Sequence, residues 1–382
     1  MRNFALYISI TLLFFFIFQT AHSQERQRAR DLGIKPGILT PGPLNAITDV
    51  KGVKVGHHTI IEGENIRTGV TVIMPHAGDL FRSRVPAAVY VGNGFGKALG
   101  FTQVQELGEL ETPIGLTNTL SIHTVANGIT DYTLRQTGNE NVRSVNPVVG
   151  ETNDGWLNDI RGRHVKKQHV FDAIEDAKDG LVEEGSVGAG TGTSALGFKG
   201  GIGTSSRTLP EKFGGYTVGV LVQSNFGGVL TIDGAPIGEE LENHYMASDV
   251  PYDVDGSVMI IVATDAPLLS RNLERLAKRA LLGISRVGGF ASNGSGDYVI
   301  AFSTSEDVRI NSGSSGSTQN YTELKNSATT PLFIAAVEAT EEAILNSLFM
   351  ATTVTGDRGH TQKALPVEEV LRIMEKYNLL DK

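Results

Sequence analysis

The sequence predicts an α/β fold in which two β-sheets are covered on their outside by helices. Three observations carry this reading. Runs with strand character alternate with runs of helical periodicity along the chain. The strand candidates, above all 258–264 (Val-Met-Ile-Ile-Val-Ala-Thr), are continuous apolar runs rather than the hydrophobic–polar alternation of an open, one-sided sheet, and two covered sheets suit them better than one doubly wound sheet. Finally, the 382 residues are 40% hydrophobic and 20% charged, with no linker, no repeat and no break in composition, so the mature chain reads as one compact unit.

Taken in order, 24–30 is a charged lead-in, and Pro36, Pro41 and Pro43 mark an extended stretch. Strands are expected over 47–57 and 69–74, and 82–91 leads into Gly92-Asn93-Gly94-Phe95-Gly96-Lys97. Helical spacing of apolar residues appears at 102–108, 121–137, 170–184, 270–281, 340–350 and 367–378. Further strands are expected at 216–222, 258–264, 297–304 and 332–337. The Ser-, Gly-, Thr- and Asn-rich segment 311–326 reads as a surface loop.

Residues 1–23 differ in kind. Arg2, an apolar stretch from Phe4 to Phe18 and a small-x-small ending at Ala21-His22-Ser23 predict a secretory signal. The apolar part falls short of the ~20 residues that a spanning helix needs, and no later segment is long and apolar enough. Periplasmic or secreted location, with no membrane association after signal removal, is therefore expected. The net charge is −9 and the signal removes only one basic residue, which makes a nucleic-acid partner a poor expectation. Zero cysteines exclude a disulfide framework, a thiol nucleophile and a cysteine-bound zinc.

Several motifs could carry chemistry. Gly92 to Gly96, Gly188 to Gly192 and Gly197 to Gly203 each fail the phosphate-loop and dinucleotide templates. They read instead as backbone turns that let other elements approach closely. The nine histidines show no metal spacing, so neither a metal nor a cofactor is expected. In Asn293-Gly294-Ser295-Gly296-Asp297, the nearest thing to a nucleophile elbow, the serine precedes a strand instead of following one. Glu151 opens Glu151-Thr152-Asn153-Asp154-Gly155-Trp156, a cluster that can hold a cationic group or serve as a plain turn. Asn225 follows the strand over 216–222 within Gln223-Ser224-Asn225-Phe226-Gly227, where its amide could donate to an oxyanion or simply shape a turn.

The run Tyr252-Asp253-Val254-Asp255-Gly256-Ser257 sets a hydroxyl at the entrance of the apolar strand 258–264. Glycine leaves its carbonyl open to attack from the next residue. If the bond breaks, Ser257 becomes an N-terminus whose α-amine, with a reference pKa of about 7.7–8.0, can act as base to its own hydroxyl. Alone, the hexapeptide reads as an ordinary turn into a strand, since Gly-Ser before a strand is common.

Together these segments resemble the family of L-aminopeptidase D-amidase/D-esterases and their β-peptidyl aminopeptidase relatives. The likeness is carried by Leu116-Thr117-Asn118-Thr119, Val148-Val149-Gly150-Glu151-Thr152-Asn153-Asp154-Gly155, Gly188 to Thr193 with Gly197 to Gly203, Gln223 to Gly227, Gly256-Ser257 with Ala263 to Leu268, Asn293 to Asp297 and Glu338 to Ala343. The resemblance implies a four-layer α-β-β-α sandwich, self-processed into chains 24–256 and 257–382 that form one compact domain. It implies Ser257 as nucleophile, Ser295 and Asp297 as the pair that orients it, Asn225 as oxyanion donor and Glu151 as holder of the substrate ammonium. Substrates would be short peptides, amides or esters with a free N-terminal amine, of L-α, D-α or β type. The assembly would be a tetramer of processed heterodimers. A tyrosine that some members carry just after the glutamate is missing, since Thr152 and Asn153 stand there. An ornithine acetyltransferase-like acyl transferase, disfavoured by serine at 257 and by the export signal, and a non-catalytic amine-binding protein are the rival readings.

Overall fold

A computed structural model describes residues 26–247, 256–312 and 316–380. The expected signal at 1–23 and the acidic residues 252–255 lie outside the described residues.

The strands are β1 (Lys54–Glu62), β2 (Ile66–Met74), β3 (Ser83–Gly94), β4 (Ile114–Asn118), β5 (Val148–Thr152), β6 (Gly201–Thr208), β7 (Thr217–Asn225), β8 (Ser257–Thr264) and β9 (Gly296–Ser303), with a few two-residue strands besides. The main helices are α1 (Phe101–Leu107), α2 (Ile122–Leu134), α3 (Lys167–Glu175), α4 (Ser270–Ala280), α5 (Thr330–Phe349) and α6 (Val367–Lys376). Two sheets result. The smaller runs β1-β2-β4-β5, and the larger runs β3-β9-β8-β7-β6 with Ile310–Asn311 beyond β3. The neighbours β4 and β5 are parallel, as are β8 and β9. A parallel pair needs a crossover, and α2 and α4 supply the two.

Both faces of β8 are apolar because both are covered. Val258, Ile260 and Val262 belong to one core with Leu273, Leu276 and Ala277 of α4 and Ala335, Ala339 and Ala343 of α5. Their alternate neighbours Met259, Ile261 and Ala263 belong to a second core with Ile73, Ile114, Leu116 and Val148 of the smaller sheet. That sheet packs its other side on Ile122, Val125 and Ile129 of α2 and on Val170 and Ala173 of α3. The sheets meet closely where β5 crosses β8: a Cβ on Gly150 would fall 2.2 Å from Met259 Cε. That glycine lets Glu151 and Ser257 belong to one neighbourhood.

Four expectations need correction. Residues 332–337 are not a strand; they are the first turns of α5, which begins at Thr330 with Pro331 in its first turn. A short apolar run with Ile and Val reads as a strand by composition, but here Leu332, Ala335 and Ala336 face the core while Ile334 is exposed, the spacing of one helix face. The helix expected over 170–184 runs Lys167–Glu175, after which Lys178 exchanges backbone hydrogen bonds with Val55 and the chain follows the edge of β1. The strand expected over 47–57 begins only at Lys54, because the Asp49 carboxylate accepts from the Leu44 and Ala46 amides and holds a 3-10 turn. The glycines at 201 and 203 lie within β6 rather than in a turn, although close approach is their reason: a Cβ on Gly203 would lie 1.9 Å from the Ala343 carbonyl oxygen.

Candidate active site

Ser257 opens β8 opposite Asn225 of β7 on one side and Gly296 of β9 on the other. These registers bring three segments, distant in sequence, to one sheet end. Gly256 fits there only because it has no side chain: a Cβ would lie 1.9 Å from the Asn225 carbonyl oxygen and 2.9 Å from Phe226 Cα. The Ser257 hydroxyl donates to the Gly256 carbonyl at 2.5 Å. The Gly296 amide donates to the same carbonyl at 3.1 Å and approaches Ser257 Oγ at 3.3 Å. The nucleophile expected from sequence thus sits on its own preceding carbonyl, and a backbone N–H already polarises that carbonyl.

Ser295 and Asp297 flank Gly296. Ser295 Oγ donates to Asp297 Oδ1 at 2.7 Å, and both side chains are buried. Asp297 Oδ2 finds no hydrogen-bond partner among the described residues, and burial pushes this carboxyl up to about 6 against the opposing pull of the Ser295 hydrogen bond. No hydrogen bond among the described residues joins Ser295 to Ser257; the two are linked through the Gly296 backbone. Asn93 Nδ2 holds the segment from the other side, donating to the Ser292 carbonyl at 2.9 Å and to the Ser295 carbonyl.

Asn225 is oriented by its own oxygen. Ser194 N donates to Asn225 Oδ1 at 2.9 Å, and the amide nitrogen has no hydrogen-bond partner among the described residues. The loop carrying Ser194 is pinned in turn by fully buried Lys199, whose ammonium donates to the Gly190 and Gly200 carbonyls at 2.9 and 2.7 Å. Burial pulls that ammonium down to about 7 and pushes buried Asp154 up to about 7.

Glu151 is buried on β5 with both oxygens engaged: Oε1 accepts from Lys97 N at 2.8 Å and Oε2 from the Thr119 hydroxyl. It does not sit on the surface turn that its polar neighbours allowed. One cavity of about 510 Å³ is lined by Glu151, Asn225, Gly256 and Ser257 together, with Phe226 and Thr119 among the other walls. Trp156 stands at its rim, half exposed and stacked on His360 with 3.7 Å between ring centroids. Of the sequence-predicted residues, Ser295 and Asp297 alone stay behind the wall. Among the described residues no three His, Asp or Glu side chains converge as a metal site would need.

Sequence reasoning missed Lys97, Ser194, Asn93 and the Gly296 amide. Three of these, Lys97, Ser194 and Gly296, act through the main chain, which leaves no residue signature. Thr119 lay inside a quoted motif without a role.

The profile of Peptidase family S58 matches residues 45–362. "Beta-peptidyl aminopeptidase BapA" of Sphingosinicella microcystinivorans is 42% identical, over 94% of this chain and 95% of the relative. Among solved structures, a Burkholderia sp. beta-aminopeptidase superposes with a TM-score of 0.84 at 44% identity, covering 92% of this chain and 99% of its own. The L-aminopeptidase D-Ala-esterase/amidase of Ochrobactrum anthropi, described as a prototype for the serine aminopeptidases and a variant of the Ntn hydrolase fold, superposes at 0.85 with 36% identity, covering 93% and 99%.

Proposed function

The chain belongs to peptidase family S58 and is a hydrolase, an aminopeptidase of the N-terminal nucleophile type, and on that premise we propose that it matures by cutting its own Gly256-Ser257 bond and then works through Ser257. The single observation that carries this is the Ser257 hydroxyl lying on the Gly256 carbonyl in the wall of the cavity that holds buried Glu151.

In the precursor, Ser257 Oγ attacks the Gly256 carbonyl carbon while the Gly296 amide takes the charge developing on oxygen. The peptide nitrogen leaves as the Ser257 α-amine, and the resulting ester is hydrolysed by water to a chain ending in the Gly256 carboxylate. Chains 24–256 and 257–382 remain one unit, since β8 is hydrogen-bonded between β7 and β9. In the mature enzyme the α-amine takes the proton from Oγ, and Oγ attacks the first carbonyl of a substrate. Asn225 Nδ2 donates to the oxyanion, Glu151 holds the substrate ammonium, and Ser295 with Asp297 orients the nucleophile. The Ser257 α-ammonium gives that proton to the departing amine or alcohol as its bond to the carbonyl breaks, and water then releases the acyl group from Oγ as the free amino acid. Substrates are short peptides, amides or esters of an N-terminal amino acid, with the β-peptidyl relative favouring a β-amino residue. We also infer an α-β-β-α stack of layers, removal of 1–23 on export to the periplasm or beyond, and a tetramer of processed pairs.

A denaturing gel of the purified protein is expected to give two fragments, and β-alanyl, L-alanyl and D-alanyl p-nitroanilides rank the substrate classes. A single intact band would sink the maturation step. Turnover of none of the three anilides would sink the peptidase role proposed for Ser257.

Acidity gives a separate check. Burial favours the neutral acid of Asp297, so its carboxylate, the form that accepts from Ser295, is complete only above about 6. The α-amine must also lose its proton, near 7.7–8.0 in reference peptides. Log kcat/KM is therefore expected to climb with a slope near 2 below pH ~6 and near 1 up to pH ~8, and then to fall as the α-ammonium of the substrate, the form Glu151 is proposed to hold, loses its own proton. In Asp297→Asn the slope near 1 should continue below pH 6; an unchanged steep limb would show that Asp297 does not titrate in catalysis.

A further inference from the structure

We propose that Lys97 is a carboxylate-binding residue of the cavity, and that the substrates it favours are dipeptides with a free C-terminal carboxylate. The inference rests on the aminopeptidase reading above and deepens it.

Charge is scarce in this cavity. Among its described lining residues only Glu151 and Lys97 carry charge, one of each sign. The anion is spoken for: Glu151 is buried, accepts from Lys97 N and Thr119, and is the proposed seat of the substrate ammonium. The cation is not. The Lys97 side chain is exposed at the cavity edge, its ammonium forms no ion pair among the described residues, and it stands over the Phe95 ring, 5.8 Å from the centroid. Phe95 lines the same cavity, so this contact holds the charge beside the opening.

The spacing suits a short zwitterion. Because Lys97 N donates to Glu151 Oε1 at 2.8 Å, the Lys97 Cα is fixed next to the ammonium seat. Its four-carbon stem carries Nζ up to about 6 Å from Cα, and the terminal charges of an extended dipeptide lie roughly 6–8 Å apart. One residue therefore braces the anchor for one end of the substrate with its backbone and offers a partner for the other end with its side chain. A tripeptide would carry its carboxylate past this reach, and an amide would have no charge to offer. On a chain with a net charge of −9, this lone cation at the mouth also favours entry of the acid over the amide.

The test compares L-alanyl-L-alanine and β-alanyl-L-alanine with their C-terminal amides, as kcat/KM ratios that cancel effects on the Ser257 chemistry. The mature wild type should prefer the acid by about 3- to 10-fold, the range of one charge-assisted contact at a half-open site. Lys97→Met should bring that ratio to about 1, and Lys97→Arg should restore most of it. Raising salt from 0.05 to 0.5 M should shrink the wild-type ratio, which decides the matter even if Lys97→Met fails to fold. Equal use of acid and amide by the wild type, or an unchanged ratio in Lys97→Met, overturns the assignment while leaving the aminopeptidase reading intact. Failure to hydrolyse any of these substrates or the alanyl anilides overturns that reading and this inference with it.

Discussion

Replacing Ser257 with alanine is expected to leave one uncleaved chain whose aminopeptidase kcat/KM is lower by at least about 10⁴-fold, the scale seen when a nucleophile is deleted from a hydrolase. Two losses coincide. Without Oγ the Gly256-Ser257 bond has no attacking atom, so no α-amine forms; without either, the cavity holds neither nucleophile nor base. The fold should survive the change. The Gly256 carbonyl keeps the Gly296 amide at 3.1 Å, and the next seven residues of β8 stay buried between β7 and β9. Loss of the hydroxyl from a buried site costs about 1 kcal/mol, within the usual range for a single intramolecular hydrogen bond. A thermal melt within a few degrees of the two-chain wild type would separate loss of chemistry from loss of structure. Residual turnover above about 1% of wild type in this variant would place the nucleophile elsewhere.

Legibility in the sequence followed burial more than propensity. Strand β8 could be read because both of its faces are apolar, and β9 for the same reason. Strands β4, β5 and β6 could not: their Thr117, Glu151, Thr204, Ser205 and Arg207 are polar yet buried. Their partners come from far along the chain. Arg207, wholly buried, pairs with Glu338 and Glu342 of α5, and Gln223 of β7 reaches the Thr117 carbonyl and the Thr152 hydroxyl across the gap between sheets. No local pattern announces a polar residue whose partner lies a hundred residues away. Helix α5 could be read only in its second half, 340–350; its opening turns, with Leu332, Phe333, Ile334 and Val337 in one short apolar run, carry strand-like composition while Ile334 is exposed and Val337 half-buried.

The site was legible in a different way. Gly256, Ser257, Asn225, Ser295, Asp297 and Glu151 each had a plain local reading, and only their order along the chain suggested one constellation. The structure brings Glu151, Asn225, Gly256 and Ser257 to one cavity and sets Ser295 and Asp297 just behind it, through registers that join β7, β8 and β9 at one end. What stayed hidden was the main-chain part: the Gly296 amide on the scissile carbonyl, Ser194 N on Asn225 and Lys97 N on Glu151. Amides are present at every residue but proline, so sequence does not distinguish the ones that work.

Glu151→Gln should separate the two reactions that Ser257→Ala abolishes together. The scissile bond of the precursor has no free amine beside it, so its cleavage needs no ammonium anchor, and the variant should still give two fragments on a denaturing gel. Hydrolysis of alanyl anilides should fall about 10³-fold, because a substrate ammonium entering the cavity would lose its buried counter-charge, a loss of about 3–5 kcal/mol when one partner of a buried pair is removed. The amide of glutamine keeps an acceptor for Lys97 N or a contact to Thr119, so the change tests charge more than packing. If anchoring acts equally in ground and transition states, the loss lies in KM; if it aligns the scissile carbonyl on Ser257, kcat falls as well. N-acetyl-alanyl anilide supplies the control, since wild type should discriminate strongly against it and the variant should not. A two-chain Glu151→Gln enzyme with wild-type kcat/KM on free amines would remove Glu151 from substrate binding, and an uncleaved one would show that the carboxylate serves maturation too.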